Sequence, residues 1–213
     1  KYHNPKFLKH LQNIDEFLSQ TDGFDGYITW KNRDEILKKY EKTHNFFQGK
    51  SKYYKKEPRV RQFNGLYENF AEFIKNYNQR YVAAQKQLNR EFFRDIEGKS
   101  LDDQQQQAII TDEYSNLIIA GAGSGKTLTI LGKVKYLIEK KNIDPEKILL
   151  LSFTRKTVEE LNQRLRNLGL KTKATTFHKL GYDYIKHFQK NPPAVANENL
   201  LHQTIKQFLK NDI

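Results

Sequence analysis

The chain is 213 residues long and 37% hydrophobic, enough for one large domain or two small ones. Thirty-seven Lys and Arg against 25 Asp and Glu give a formal charge of +12 that is spread over both halves, so a polyanion such as nucleic acid is the first partner to consider. Without cysteine there is no disulfide scaffold or thiolate zinc site, the six histidines show no ligand spacing, and no apolar run nears the roughly 20 residues that span a bilayer, which reads as a soluble cytoplasmic protein with no membrane partner.

Asn4-Pro5 can open a helix in which Phe7, Leu11, Ile14 and Leu18 share one face. The glycines and aspartates of Thr21-Asp22-Gly23-Phe24-Asp25-Gly26 mark a turn, and Ile36, Leu37, Tyr40 and Phe47 predict a second helix after it. Residues 50–61 carry six basic side chains against Glu57, interleaved with Tyr53 and Tyr54, and read as a solvated basic loop. From Pro58 to about Glu97 apolar residues recur at helical spacing without an internal proline, which predicts one very long helix pairing with the segment before it as a helical arm.

Gly98-Lys99-Ser100 ends that pattern. Beyond it, short apolar runs at 116–120, 147–152 and near 171–175 read as buried parallel strands, alternating with helices at 126–140, at 157–168 and from Phe177. The order is α/β, a doubly wound parallel sheet. Asn191-Pro192-Pro193 closes it, and a Gln/Asn-rich helical tail follows. The domain reading is a mostly helical accessory region over 1–100, a nucleotide-binding region over 101–190, and the start of a helical insertion over 191–213. Methionine is absent even from position 1, which reads as a sequence lacking its natural start.

The run Ala120-Gly121-Ala122-Gly123-Ser124-Gly125-Lys126-Thr127 carries the chemistry. Its glycines let backbone N–H groups converge, and a following helix adds its positive end. Lys126 can reach the β- and γ-phosphates, while the Thr127 hydroxyl can ligate Mg²⁺. The cradle of Ala122, Gly123, Ser124, Gly125, Lys126 and Thr127 departs from a strict Walker A pattern in starting with Ala120 rather than glycine. Upstream, Gln105 in Leu101-Asp102-Asp103-Gln104-Gln105 has an amide that both donates and accepts, as adenine recognition requires. Ile109-Ile110-Thr111-Asp112-Glu113 imitates a strand followed by catalytic acids but precedes the phosphate loop, and reads as part of the preceding helix and turn.

Taken in order, these segments resemble the superfamily 1 DNA helicases of the UvrD/Rep type. Leu101 to Gln105 is similar to their Q motif, Ala120 to Thr127 to motif I, Ser152-Phe153-Thr154-Arg155-Lys156 to motif Ia, and Thr175-Thr176-Phe177-His178 to motif Ib. The arm ending in Glu91-Phe92-Phe93 is more like the DNA helicase IV branch. The resemblance implies a RecA-like P-loop NTPase sheet, here as a partial domain, within an ATP-dependent 3′-to-5′ DNA helicase. It implies an adenine role for Gln105, phosphate and magnesium roles for Lys126 and Thr127, and single-stranded or partly duplex DNA contacts by Phe153, Thr154, Arg155, Thr176, Phe177 and His178. Arg155 stands where relatives often carry Asn. Motif II with its hydrolytic carboxylates, the motif III glutamine and the arginine fingers lie beyond the point where this chain stops, so the piece is expected to bind ATP weakly without hydrolysing it well or unwinding DNA.

Two other readings stay open at this stage. In one, a helicase-like ATP-binding factor uses its N-terminal arm to engage RNA polymerase or repair proteins without unwinding DNA. In the other the chain is a kinase or GTPase; the absence of Asn-Lys-x-Asp and the presence of Gln105 argue against a GTPase, and Thr176-Phe177-His178 argues against a small kinase.

Overall fold

The computed structural model describes residues 5–49, 54, 56–189 and 198–211. The chain divides into two compact units, Lys1–Ile143 and Asp144–Ile213, so the segment 101–143 belongs to the same compact unit as the helical region before it.

The first unit is helical. Helix α1 (Pro5–Asp22) buries Phe7, Leu11, Ile14 and Phe17, and α2 (Trp30–Gln48) buries Ile36, Tyr40, Thr43 and Phe47. Helix α2 starts at a capping box in which the Thr29 hydroxyl accepts from Asn32 N–H and the Asn32 side chain accepts from Thr29 N–H. Gly26, at φ +102°, makes the turn between the two helices that the sequence marks. Phe17 sits at the centre of the first core, with edge-on or tilted rings of Tyr40, Phe63 and Phe70 at 5.2, 5.0 and 5.4 Å. Each such pair adds about 0.5–1.5 kcal/mol to the area it buries.

The expected long arm over 58–97 is three pieces: α3 (Pro58–Glu68), α4 (Phe70–Leu88) and α5 (Arg90–Arg94). The breaks fall at Asn69 and Asn89, whose backbones leave helical geometry at φ −107°, ψ 20° and φ −105°, ψ 24°. Each side-chain amide donates back four residues, to Gly65 O at 2.9 Å and Gln85 O at 3.0 Å, and so competes with the helical ladder. The first two pieces fold onto α1 and α2, giving a bundle in place of an arm. Most of the basic stretch at 50–55 lies outside the described residues, as do Asn4, 190–197 and 212–213.

After α5, Glu97 and Gly98, both at positive φ, form a two-residue turn between Ile96 and Lys99. Helix α6 (Asp103–Ile110) and helix α7 (Lys126–Glu139) then pack together. A second core of Val82, Phe93, Leu101, Ile109, Leu128 and Tyr136 ties α4 and α5 to α6 and α7. Gly132 marks the closest approach: a Cβ there would lie 2.8 Å from Ile109 Cδ1 and 3.2 Å from Leu101 Cδ1.

In the second unit, β1 (Leu150–Ser152) pairs in parallel with β2 (Ala174–Thr176) in the register Leu150 to Ala174 and Ser152 to Thr176. The crossover helix α8 (Arg155–Asn167) ends in a Schellman motif: Leu170 N–H reaches Leu165 O, Gly169 N–H reaches Arg166 O, and Gly169 sits at φ +70°. Helix α9 (Phe177–Phe188) follows β2 directly, and α10 spans Glu198–Asn211.

Residues 116–120, expected as a strand, have no strand assignment, and Leu117 and Ile119 are 88% and 89% exposed. A strand exists by its ladder with a neighbour, and among the described residues no strand pairs with this segment. The described sheet therefore has two strands, fewer than the alternation of apolar runs predicts.

Candidate functional site

The phosphate-loop candidate lies in the first unit. Gly123 and Gly125 sit at φ +75° and +80°, which turns the chain so that α7 starts at Lys126. No side chain caps α7, so its first N–H groups face the loop with the positive end of the helix behind them. Ser124 Oγ donates to Gly121 O at 2.8 Å, and Lys126 Nζ donates to Ala120 O at 2.9 Å and to Gly121 O. The ammonium is thus folded along the inner edge of the loop. Thr127, one residue into the helix, is half-buried.

Gln105 is placed by a capping box. The Asp102 carboxylate accepts from Gln105 N–H at 2.8 Å, and Gln105 Oε1 accepts from Asp102 N–H at 3.1 Å. The other end of the same amide, Nε2, donates to Ser124 O at 3.1 Å. A Cβ on Gly125 would stand 2.5 Å from that Nε2. Gln105 and the loop are therefore one bonded unit, and the loop's shape depends on both.

Lys133, on α7, donates to Ile109 O at 2.7 Å and Thr111 O at 3.0 Å, satisfying carbonyls at the C-terminal end of α6. Burial lowers its pKa, against the opposing pull of Asp112. Asp112 stands 3.9 Å from Lys133 Nζ, and Glu113 accepts from Trp30 N–H at 3.1 Å. Glu113 thus serves the start of α2, while Asp112 faces the Lys133 ammonium.

The residues expected to touch DNA lie together in the second unit. Because Ser152 and Thr176 are register partners, Phe153 and Phe177 leave the sheet at the same level on neighbouring strands, 85% and 62% exposed. Thr154 and Thr176 cap α8 and α9, their hydroxyls accepting from Thr157 N–H at 3.2 Å and Lys179 N–H at 3.1 Å. Arg155 and His178 occupy the first turns of these helices and are exposed. One edge thus presents two rings, two helix N-termini and two further polar side chains. Asn162, which sequence reasoning did not single out, holds this edge by bonding both Ala174 O at 3.0 Å and Ala174 N–H at 2.7 Å. An asparagine in a polar helix gives no local sign that its amide grips a strand.

Over 123 residues the chain is 38% identical to DNA helicase IV of Escherichia coli, covering 56% of this chain and 18% of that protein. It is 51% identical over 65 residues to a probable DNA helicase II homolog of Mycoplasma capricolum (30% and 9%), and 39% identical over 70 residues to the ATP-dependent DNA helicase PcrA of Staphylococcus epidermidis (33% and 10%). The chain thus spans less than a fifth of the length of each. The model of the UvrD/REP helicase N-terminal domain matches residues 101–212, more than half of the chain and all of its motif-bearing segments, and the chain belongs to that family.

Proposed function

We propose that the chain is the ATP-binding N-terminal part of an ATP-dependent 3′-to-5′ DNA helicase that translocates on single-stranded DNA. The observation that carries this is the bonded unit of Gln105, Ser124 and the uncapped start of α7, with Lys126 lying along the loop. The left-handed glycines and free helix N-terminus fit a triphosphate, with Lys126 and the amides of Ala122 to Thr127 on its oxygens. Thr127 is the candidate Mg²⁺ ligand, and the ion would neutralise phosphate charge there. Gln105 orients the loop through Ser124 and retains an Nε2 hydrogen for adenine.

The parallel strands of the second unit, each followed by a helix, support a RecA-like sheet of which this chain holds part. The proposed organisation is an accessory region over 1–100, a nucleotide-binding region over 101–190, and an insertion beginning at 191. Phe153 and Phe177 would stack on DNA bases, while the capped starts of α8 and α9, with Arg155 and His178, would take phosphates. The polymerase-engaging alternative rests on a protruding arm and loses that support to the bundle of α1–α4. The chain should bind ATP with Mg²⁺ in preference to GTP and hydrolyse it poorly, because Glu113 is taken up by the start of α2 and Asp112 by Lys133. Equilibrium binding of both labelled nucleotides, with a phosphate-release assay alongside, checks this. Equal affinity for GTP, or vigorous DNA-stimulated hydrolysis, would contradict it.

A further inference from the structure

Helix α6 is only eight residues long, too short to hold a position by its own ladder, so its placement depends on what fastens it. Gln105 and Ile109 are four residues apart and share one of its faces. That face meets two glycines, Gly125 at the cap of α7 and Gly132 two turns further on. At the first, the Gln105 amide abuts Gly125 and donates to Ser124 O at 3.1 Å. At the second, Ile109 Cδ1 lies 2.8 Å from where a Cβ on Gly132 would stand.

Lys133, next after Gly132, fastens that second contact. Its side chain is mostly buried, and its ammonium crosses from α7 to donate to Ile109 O at 2.7 Å and Thr111 O at 3.0 Å. These carbonyls stand at the negative, C-terminal end of α6, where a cation is favoured, and Asp112 Oδ1 at 3.9 Å adds a further pull. The bond at Ile109 O lies one turn beyond Gln105 on the same short helix. A tilt of α6 at its Lys133 end therefore moves the Gln105 amide at the other, and an effect of Lys133 on a nucleotide has to pass through that helix.

We infer that Lys133 is a positioning residue for the nucleotide site, a role that rests on the reading of Ala120 to Thr127 as an ATP site. By fastening the C-terminal end of α6 to α7, it sets where the Gln105 amide stands against Ser124 O and the base. A lysine that only completed a helix end would matter for melting and not for the ligand. One that places Gln105 matters for ATP only while that amide is present, and for ATP more than for GTP.

The test is a double-mutant cycle: equilibrium binding of labelled ATP and GTP with Mg²⁺ to the parent chain, Lys133→Met, Gln105→Ala and the double variant. Lys133→Met keeps the aliphatic stem and removes the ammonium. It should weaken ATP binding about fivefold or more in the parent, and less than about twofold where Gln105→Ala is already present, the shortfall expected of two groups acting as a unit. Preference for ATP over GTP should fall in Lys133→Met as it does in Gln105→Ala. Melting by circular dichroism sets an assay temperature at which all four chains are folded; if Lys133→Met has none, Lys133→Gln, which keeps a donor, takes its place in the cycle. Equal losses in the two backgrounds, an unchanged ATP affinity, or equal losses of ATP and GTP overturns the positioning role and leaves the ATP site standing. No ATP binding by the parent chain overturns the ATP site itself, and the positioning role falls with it.

Discussion

Gly125 carries two constraints at once: its φ of +80° and the Gln105 amide where a Cβ would stand. Gly125→Ala should therefore destabilise the first unit by about 1–2 kcal/mol and sharply weaken ATP binding, read by calorimetric melting and nucleotide titration. Gln105→Ala should weaken both ATP and GTP, ATP more, because the loop loses its bond at Ser124 O as well as any contact with the base; unchanged affinities would remove Gln105 from the site. Tyr27 gives a pH test. Burial first, then the nearby Glu113 carboxylate, push its hydroxyl from about 10 up to about 12. Between those values the unfolded chain releases this proton and the folded chain keeps it, so its contribution to stability is present below pH 10 and is lost as pH rises towards 12. The melting-temperature gap between the parent and Tyr27→Phe should accordingly shrink over that window. Of these residues, the loop was legible because its pattern is local. The tie from Gln105 to Ser124 spans 19 positions, and no local pattern encodes it.

Elements were legible where one face repeats. The stripes of Phe7, Leu11 and Ile14 and of Ile36, Tyr40 and Phe47 are buried as their spacing predicts. The breaks at Asn69 and Asn89 were hidden because the apolar rhythm runs through them, while the cause is a side-chain amide returning to a carbonyl four residues back. The opposite error arose at 116–120, where an apolar run met the composition of a strand but not the need for a ladder partner. The short pairing of β1 with β2 depends on the Asn162 clamp. Asn162→Ala leaves the Ala174 N–H and carbonyl without these partners and should cost about 1–3 kcal/mol, seen as faster proteolysis of residues 144–189. An unchanged cleavage rate would show that the pairing stands without the clamp.

For the molecule as a whole, the second core matters most: Val82 and Phe93 from the helical region share it with Leu128 and Tyr136 of the phosphate-loop helix. Tyr136 OH also donates to Gln85 Oε1 at 3.2 Å, and Lys141 Nζ donates to the Tyr81 hydroxyl at 2.7 Å. A composition boundary at 100 is visible in the sequence, but the packing across it is not, because these contacts join residues 51 to 60 positions apart. The helices before residue 100 thus pack directly against the helix that carries the candidate nucleotide site. Binding of the ATP phosphates by the loop at Ala120 to Thr127 is put at risk by a single substitution, Lys126→Ala. Lys126 is exposed and its ammonium donates to the loop carbonyls of Ala120 and Gly121, so the variant should keep its helical circular dichroism and melting temperature. Equilibrium binding of labelled ATP with Mg²⁺ should fall at least tenfold in that folded variant; unchanged affinity would contradict the assignment.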